Sequence, residues 1–369
     1  MAFYNKRVTG YNFVITMGEK MKRVLVALSG GVDSATTLTL LKKEGYDCKG
    51  VTMRLRDSGQ ENDIAAAEQL CKQFGVPFDV VDLRAEFKQN VTDYFVNSYL
   101  KGVTPNPCVE CNRKLKSERL LEEADKKECD YLATGHYARL ININGQIRLY
   151  RALDLKRDQS YFLYPIKHEN FSRILFPLGG YTKDVVRSIA YENGVGMAGK
   201  KDSQDVCFIP DGNYVNYIKN SLPDNMKHLV ELQGDIVYHN KVVGLHKGLV
   251  NYTIGQRSGL GVSLGHPVYV TKIDISTNTL HIGERDELNQ STLTITNVNM
   301  HEDVEFPLEC SVKIRSVSSL IQAVAKKTKS DEITFEFDGG VEAVTRGQSG
   351  VIYKSDDYGE YVVGGGIIV

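Results

Sequence analysis

Along residues 22–134, short and almost unbroken apolar runs alternate with segments whose apolar residues recur at helical spacing. The runs 22–28, 48–53, 78–83 and 130–134 have strand length and few polar positions, the pattern of strands covered on both faces. Between them, 33–44, 61–74, 84–100 and 113–127 predict helices, with apolar residues such as Leu38 and Leu41, or Leu70 and Phe74, on one side. Alternation of this kind builds a parallel sheet from βαβ units, so this part reads as α/β.

Beyond about Pro210 the texture changes. Segments 236–243, 268–273, 279–282, 293–298, 311–317, 332–337 and 351–353 are short and β-favouring, with Gly or Asn/Asp clusters between them. Small β domains or barrels are the expectation. The chain then divides into a disordered extension over 1–20, an α/β domain over 21–205, a β-rich central domain over 206–275 and a C-terminal β-barrel over 276–369.

Composition mainly excludes. A chain of 369 residues with 42% hydrophobic content has enough apolar surface for several cores. Its formal charge of −1 means that any nucleic-acid contact rests on local basic stretches, such as 113–116 and 326–329. No apolar run approaches the ~20 residues of a membrane span, and residues 1–20 lack a signal-peptide core, with Met21 a candidate initiator. Seven Cys is an odd count without the marks of a disulfide framework. A cytoplasmic protein with no membrane partner is expected, its well-placed thiols reactive or metal-binding.

Ser29-Gly30-Gly31-Val32-Asp33-Ser34 follows the first predicted strand and opens the first predicted helix. Glycines let the backbone turn tightly enough for successive N–H groups to face an anion. The helix N-terminus adds positive potential at the same point. Ser29 and Ser34 offer hydroxyl donors, and Asp33 offers a helix cap or a Mg²⁺ ligand. The Gly-Lys-Ser/Thr ending of a Walker A loop is missing, as is the Gly-x-Gly-x-x-Gly dinucleotide fingerprint. An ordinary Gly-rich turn is the bland alternative, disfavoured by the position between strand and helix.

Cys108 and Cys111 stand in Thr104-Pro105-Asn106-Pro107-Cys108-Val109-Glu110-Cys111-Asn112, read as a proline-stiffened loop ahead of a basic helix. Thiols beside a helix N-terminus and cations are expected to titrate below the free value. Cys207, in another turn-rich stretch with Lys residues, is the third candidate. A structural zinc site would need a second ligand pair, and a thioredoxin-like pair would open the helix after the first strand. Cys48, Cys71, Cys129 and Cys310 lie in apolar or helical contexts and read as packing residues.

The phosphate loop is similar to that of the ATP pyrophosphatase family, whose members split ATP between its α and β phosphates and adenylate a substrate oxygen. That family also holds amide- and guanidine-forming ligases, which need no paired thiols. Adding 104–112, Gly135-His136-Tyr137-Ala138-Arg139, 157–163, 203–210 and 255–261, the chain from Lys22 to Val369 resembles the tRNA 2-thiouridylase branch.

The resemblance implies ATP with Mg²⁺, held by Ala27, Leu28, Ser29, Gly30, Gly31, Val32, Asp33 and Ser34, with Met53 and Gly135 beside the adenosine. It implies adenylation of the C2 oxygen of the wobble uridine, U34, in tRNAs of the Lys, Glu and Gln type, followed by sulfur attack at C2. Cys111 is then the active-site thiol and Cys207 the persulfide carrier, loaded by a cysteine desulfurase or relay protein, with a transient disulfide between them. Asn106, Pro107 and Cys108 would meet the target base. His136, Arg157, Asp158, Gln159, Arg315, Ser316 and Gln348 would contact tRNA. Well-studied members have an acid/base Asp where this chain has Cys108, and relatives often carry an aromatic residue at Ser316. The thiols Cys108, Cys111 and Cys207 also suit three-Cys ligation of a [4Fe–4S] cluster, so persulfide and cluster chemistry both stand open. A non-catalytic tRNA-binding module is the remaining alternative, and the intact phosphate loop argues against it.

Overall fold

The computed structural model describes residues 21–195 and 206–369; the expected extension over 1–20 and positions 203–205 of the Cys207 motif lie outside the described residues. Strands β1 (Arg23–Ala27), β2 (Asp47–Arg54), β3 (Phe78–Asp82) and β4 (Tyr131–Ala133) form where the apolar runs predict them. The sheet, completed by β7 (Ile174–Leu175), is parallel throughout in the order β3-β2-β1-β4-β7. Val24, Leu25 and Val26 of β1 have no exposure, as a central strand roofed by helices on both faces requires. The strand order reverses between β1 and β4, and a crevice opens at the carboxyl ends of such a pair.

Helix α1 (Val32–Lys43) follows β1 and α2 (Glu61–Phe74) follows β2. Residues 84–100 and 107–126 are each helical end to end, with a π-helical stretch inside each (Lys88–Thr92 and Cys111–Arg119). The second of these corrects an expectation. Pro107 sits at the first helical position, which its fixed φ suits, so Cys108 and Cys111 lie within the helix rather than in a loop before it.

Between β4 and β7 the chain forms a hairpin, β5 (Ala138–Ile143) and β6 (Gln146–Arg151), turned at Asn144 and Gly145 with φ +52° and +93°. β8 (Gly234–Tyr238), β9 (Lys241–His246), β10 (Tyr269–Asp274) and β11 (Thr279–Gly283) make a central four-stranded sheet, so 279–283, beyond the expected break at 275, pairs within it. The single run expected over 236–243 is in fact a hairpin, because His239 and Asn240 take positive φ and turn the chain.

β12 (Asn289–Met300), β13 (Leu308–Lys313), β14 (Ile321–Lys329), β15 (Glu332–Glu342), β16 (Ser349–Asp356) and β17 (Gly359–Ile368) follow in the order β12-β15-β14-β13-β16-β17. A β12–β17 pairing closes them into a six-stranded barrel. The hairpin docks on that barrel through β6, with Tyr150 opposite Tyr361 and Leu149 opposite Val362. One core therefore runs from Leu25 and Val51 of the parallel sheet to Val351, Tyr353 and Val362 of the barrel.

Candidate active site

A crevice of about 220 Å³ lies at the switch point of the parallel sheet. Ala27, Leu28, Ser29, Asp33, Ser34, Met53 and Gly135 line it, with Val51, Lys116, Thr134, His136 and Gln159. The turn after β1 is built from the inside. Ser34 Oγ accepts from Ser29 N at 3.1 Å and donates to the Gly31 carbonyl at 3.0 Å. Gly30 has φ +69°, and a Cβ there would stand 2.6 Å from the Asp63 carbonyl oxygen. At Gly135 a Cβ would come within 3.1 Å of the Asp33–Ser34 peptide. Side chains are thus excluded where backbone N–H groups and the α1 N-terminus meet the crevice.

Asp33 corrects a second expectation. The cap position of α1 is Gly31, with no side-chain cap. Asp33 instead accepts from the Tyr137 hydroxyl at 2.8 Å, and Lys183 donates to both its carboxylate oxygens at 2.8 Å. These three hydrogen bonds leave about one of the carboxylate's roughly four acceptor sites, on Oδ2, open toward a further ligand.

Two distant parts of the chain bring the thiols within electrostatic reach of one another. Cys207 is carried beside Cys108 and Cys111 by Phe208, which packs edge-on against Phe87 and Phe95 at 5.7 and 5.4 Å. Phe208 and Ile209 share an apolar cluster with Cys111 and Leu115. Cys207 is near enough to raise the titration of Cys108 and Cys111, and Cys108 that of Cys111. All seven cysteines are free thiols, and Cys48, Cys71, Cys129 and Cys310 are buried. Burial pushes the Cys111 thiol up to about 11 and raises that of Cys108, with Lys116 pulling both back. The expected lowering is therefore reversed: loss of hydration outweighs the nearby cation. Cys108 nonetheless reaches solvent, as a side chain in the wall of a concavity does.

Lys116 was not singled out from the sequence. On an ordinary α-helix it would sit about 140° around from Cys111, but the wider π turn cuts that to about 50°. The ammonium therefore serves two sites, lowering the thiols and lining the nucleotide crevice. It also donates to His136 Nε2 at 3.4 Å, which makes Nε2 the acceptor and Nδ1–H the donor to Thr134 Oγ1 at 2.7 Å. Burial first, then Lys116, holds the His136 imidazole well below its ordinary value. Lys183 and Tyr137, which hold Asp33, also carried no sequence signal as separate residues.

The residues expected at a tRNA surface divide. Arg157 is exposed and Ser316 half-buried. His136 and Gln159 line the crevice, where Gln159 Oε1 accepts from Tyr137 N at 2.9 Å. The Asp158 side chain is 1% exposed and accepts from Arg151, Ala152 and Ser160, so its expected RNA contact is corrected to an internal hub. Arg315 donates to Ile254 and Ala343 carbonyls at 3.2 and 2.8 Å, tying the central domain to the barrel. Gln348 donates to the carbonyls of Thr104 and Pro105 at 2.9 and 3.2 Å, just ahead of half-buried Asn106 and buried Pro107. In the basic stretches, Arg113 pairs with Glu110, Lys114 with Glu118, Lys326 with Glu336 and Lys329 with Glu332, which leaves less net charge there than the sequence suggests.

Three family models match in succession: a tRNA methyl transferase HUP domain over 22–211, a tRNA methyl transferase PRC-barrel domain over 224–284 and an aminomethyltransferase beta-barrel domain over 290–368. Relatives that match over nearly their whole length include several named tRNA-specific 2-thiouridylase MnmA. That of Clostridium perfringens is 39% identical over 361 residues, covering 94% of this chain and 98% of its own. That of Natranaerobius thermophilus is 40% identical, covering 94% and 97%, and that of Rickettsia massiliae 40%, covering 96% and 99%.

Proposed function

The chain belongs to the tRNA 2-thiouridylase family of tRNA sulfurtransferases, and on that premise we propose that it replaces the C2 oxygen of the wobble uridine, U34, with sulfur at the expense of ATP. The observation that carries this reading is the common wall of the two sites: Lys116 lines the nucleotide crevice and acts on the Cys108 and Cys111 thiols.

ATP, bringing Mg²⁺ on its phosphates, occupies the crevice over the turn from Ala27 to Ser34, its adenosine beside Met53 and Gly135. A tRNA of the Lys, Glu or Gln type presents U34 unstacked and flipped, as a buried site demands, against Asn106, Pro107 and Cys108. The uridine C2 oxygen attacks the α-phosphorus and pyrophosphate leaves. The outer sulfur of a Cys207 persulfide, supplied by a cysteine desulfurase or relay protein, attacks C2. The C2–O bond breaks and AMP departs with its electron pair. Cys111 thiolate then attacks Cys207 Sγ, freeing the 2-thio group and leaving a Cys111–Cys207 disulfide for a thiol reductant to reopen. Cytoplasmic location fits both reductant and substrate.

The facing set of Cys108, Cys111 and Cys207 favours a second reading. Among the described residues these sulfurs are not gathered as tightly as a single metal ion requires, but three thiols are a fitting donor set for a [4Fe–4S] cluster, which would supply an open iron site for sulfide. Single-turnover thiolation of unmodified tRNA separates the two. Formation of 2-thiouridine by iron-free, persulfide-loaded enzyme supports the Cys207 route, whereas product from cluster-reconstituted enzyme alone supports the second. Absence of 2-thiouridine from both overturns the function.

A further inference from the structure

Away from the crevice, a separate cluster of titratable side chains gathers where the central sheet joins the barrel. His239 stands at the tip of the β8–β9 hairpin. Glu284 directly follows β11, and Glu287 lies in the 3₁₀ turn Asp286–Leu288 that leads into β12. One ligand atom from each lies within 4.8 Å of the other two. His239 Nε2 is 3.3 Å from Glu284 Oε2 and 3.8 Å from Glu287 Oε1.

The surroundings hold these atoms in place. His239, exposed at the hairpin tip, has φ +45°, and the Tyr238 ring stacks on its imidazole at 4.1 Å. A Cβ on Gly283 would stand 2.2 Å from Glu287 Oε1, so the missing side chain is what lets that carboxylate fold inward. The other oxygen of Glu284, Oε1, accepts from the Tyr238 hydroxyl and lies 3.4 Å from His266 Nε2. Outer partners of this kind orient a carboxylate ligand by occupying the oxygen it does not use. Among the described residues no Lys or Arg pairs with Glu284 or Glu287, whose ion-pair partners are histidines. Two carboxylates facing one imidazole therefore present a negative site without a fixed cation.

We propose that His239, Glu284 and Glu287 bind one divalent transition-metal ion of the zinc type, with water completing its shell. An imidazole nitrogen with two carboxylate oxygens matches the borderline cations rather than the all-oxygen preference of Ca²⁺ or Mg²⁺. The ion would clamp the hairpin tip to the segment between central sheet and barrel, and so stiffen that joint.

The test is a Co²⁺ titration, competed with Zn²⁺, of full-length protein stripped by a chelator. It is run on the wild type and on a Cys108→Ser, Cys111→Ser, Cys207→Ser variant, because thiols bind the same ions. The expected result is one Co²⁺ per chain in the triple-serine variant, without sulfur-to-metal charge-transfer absorption. In the triple-serine background, affinity should fall at least about tenfold on adding His239→Asn or Glu284→Gln, and Zn²⁺ should raise the melting temperature of the triple-serine protein but not of its Glu284→Gln derivative. Binding that disappears with the thiols, that persists undiminished in both site variants, or that is absent throughout overturns the proposal.

Discussion

At the scale of single residues, the crevice depends on positions where a side chain cannot be. Gly30→Ala would combine a left-handed φ with a Cβ against the Asp63 backbone, so it should cost about 1–3 kcal/mol in stability or deform the turn. Thermal melts and ATP affinity should fall together. Lys116 makes a sharper prediction. Lys116→Met removes the cation that opposes burial at Cys111, so alkylation of that thiol should need a higher pH. Lys116→Arg should restore most of the shift, and an unchanged alkylation profile in Lys116→Met would remove the coupling. The phosphate turn and the Cys108–Cys111 pair were legible from local spacing, whereas Cys207, 96 residues on, was picked out by its Lys- and turn-rich context and took its role from the family resemblance. Lys116, Lys183 and the burial of Asp158 were not legible. Helical phase through a π stretch and pairings such as Asp33 with Lys183, 150 residues apart, leave no local pattern.

At the scale of elements, the helix that carries Cys108 and Cys111 is aimed by the barrel. Thr104 N donates to the Arg346 carbonyl at 3.0 Å, and Gln348 holds the next carbonyls. Gly347, at φ +88°, leaves room for Val103, whose Cγ1 would lie 2.3 Å from an added Cβ. Gly347→Val should therefore push the Thr104–Pro105 approach aside, lowering the thiolation rate at least about tenfold while ATP affinity changes little. Equal losses in both would place the damage in the fold as a whole. The parallel strands and their helices were readable because burial on both faces writes continuous apolar runs. The β5–β6 hairpin escaped notice although Asn144-Gly145 is a strong turn signal, since its partner strand lies in another domain.

At the scale of the whole molecule, the domains share polar seams as well as a core. His301, at the end of β12, sets Nε2 2.8 Å from the Tyr164 carbonyl and Nδ1 3.3 Å from that of Val362. Burial pulls its imidazole down to about 4 from 6.5. The unfolded chain thus takes up this proton first as pH falls. Stability is unaffected by this group above about pH 6.5 and declines between there and about 4, by roughly 3 kcal/mol in all. Denaturation of wild type and His301→Gln across that window should show the smaller acid loss in the variant; parallel curves would clear His301. The docked hairpin has a further consequence, in time rather than space. During synthesis β6 leaves the ribosome about 200 residues ahead of β17, its partner. At ordinary elongation rates its edge waits unpaired for about 10–40 s, an interval in which that edge is open to pairing with other strands.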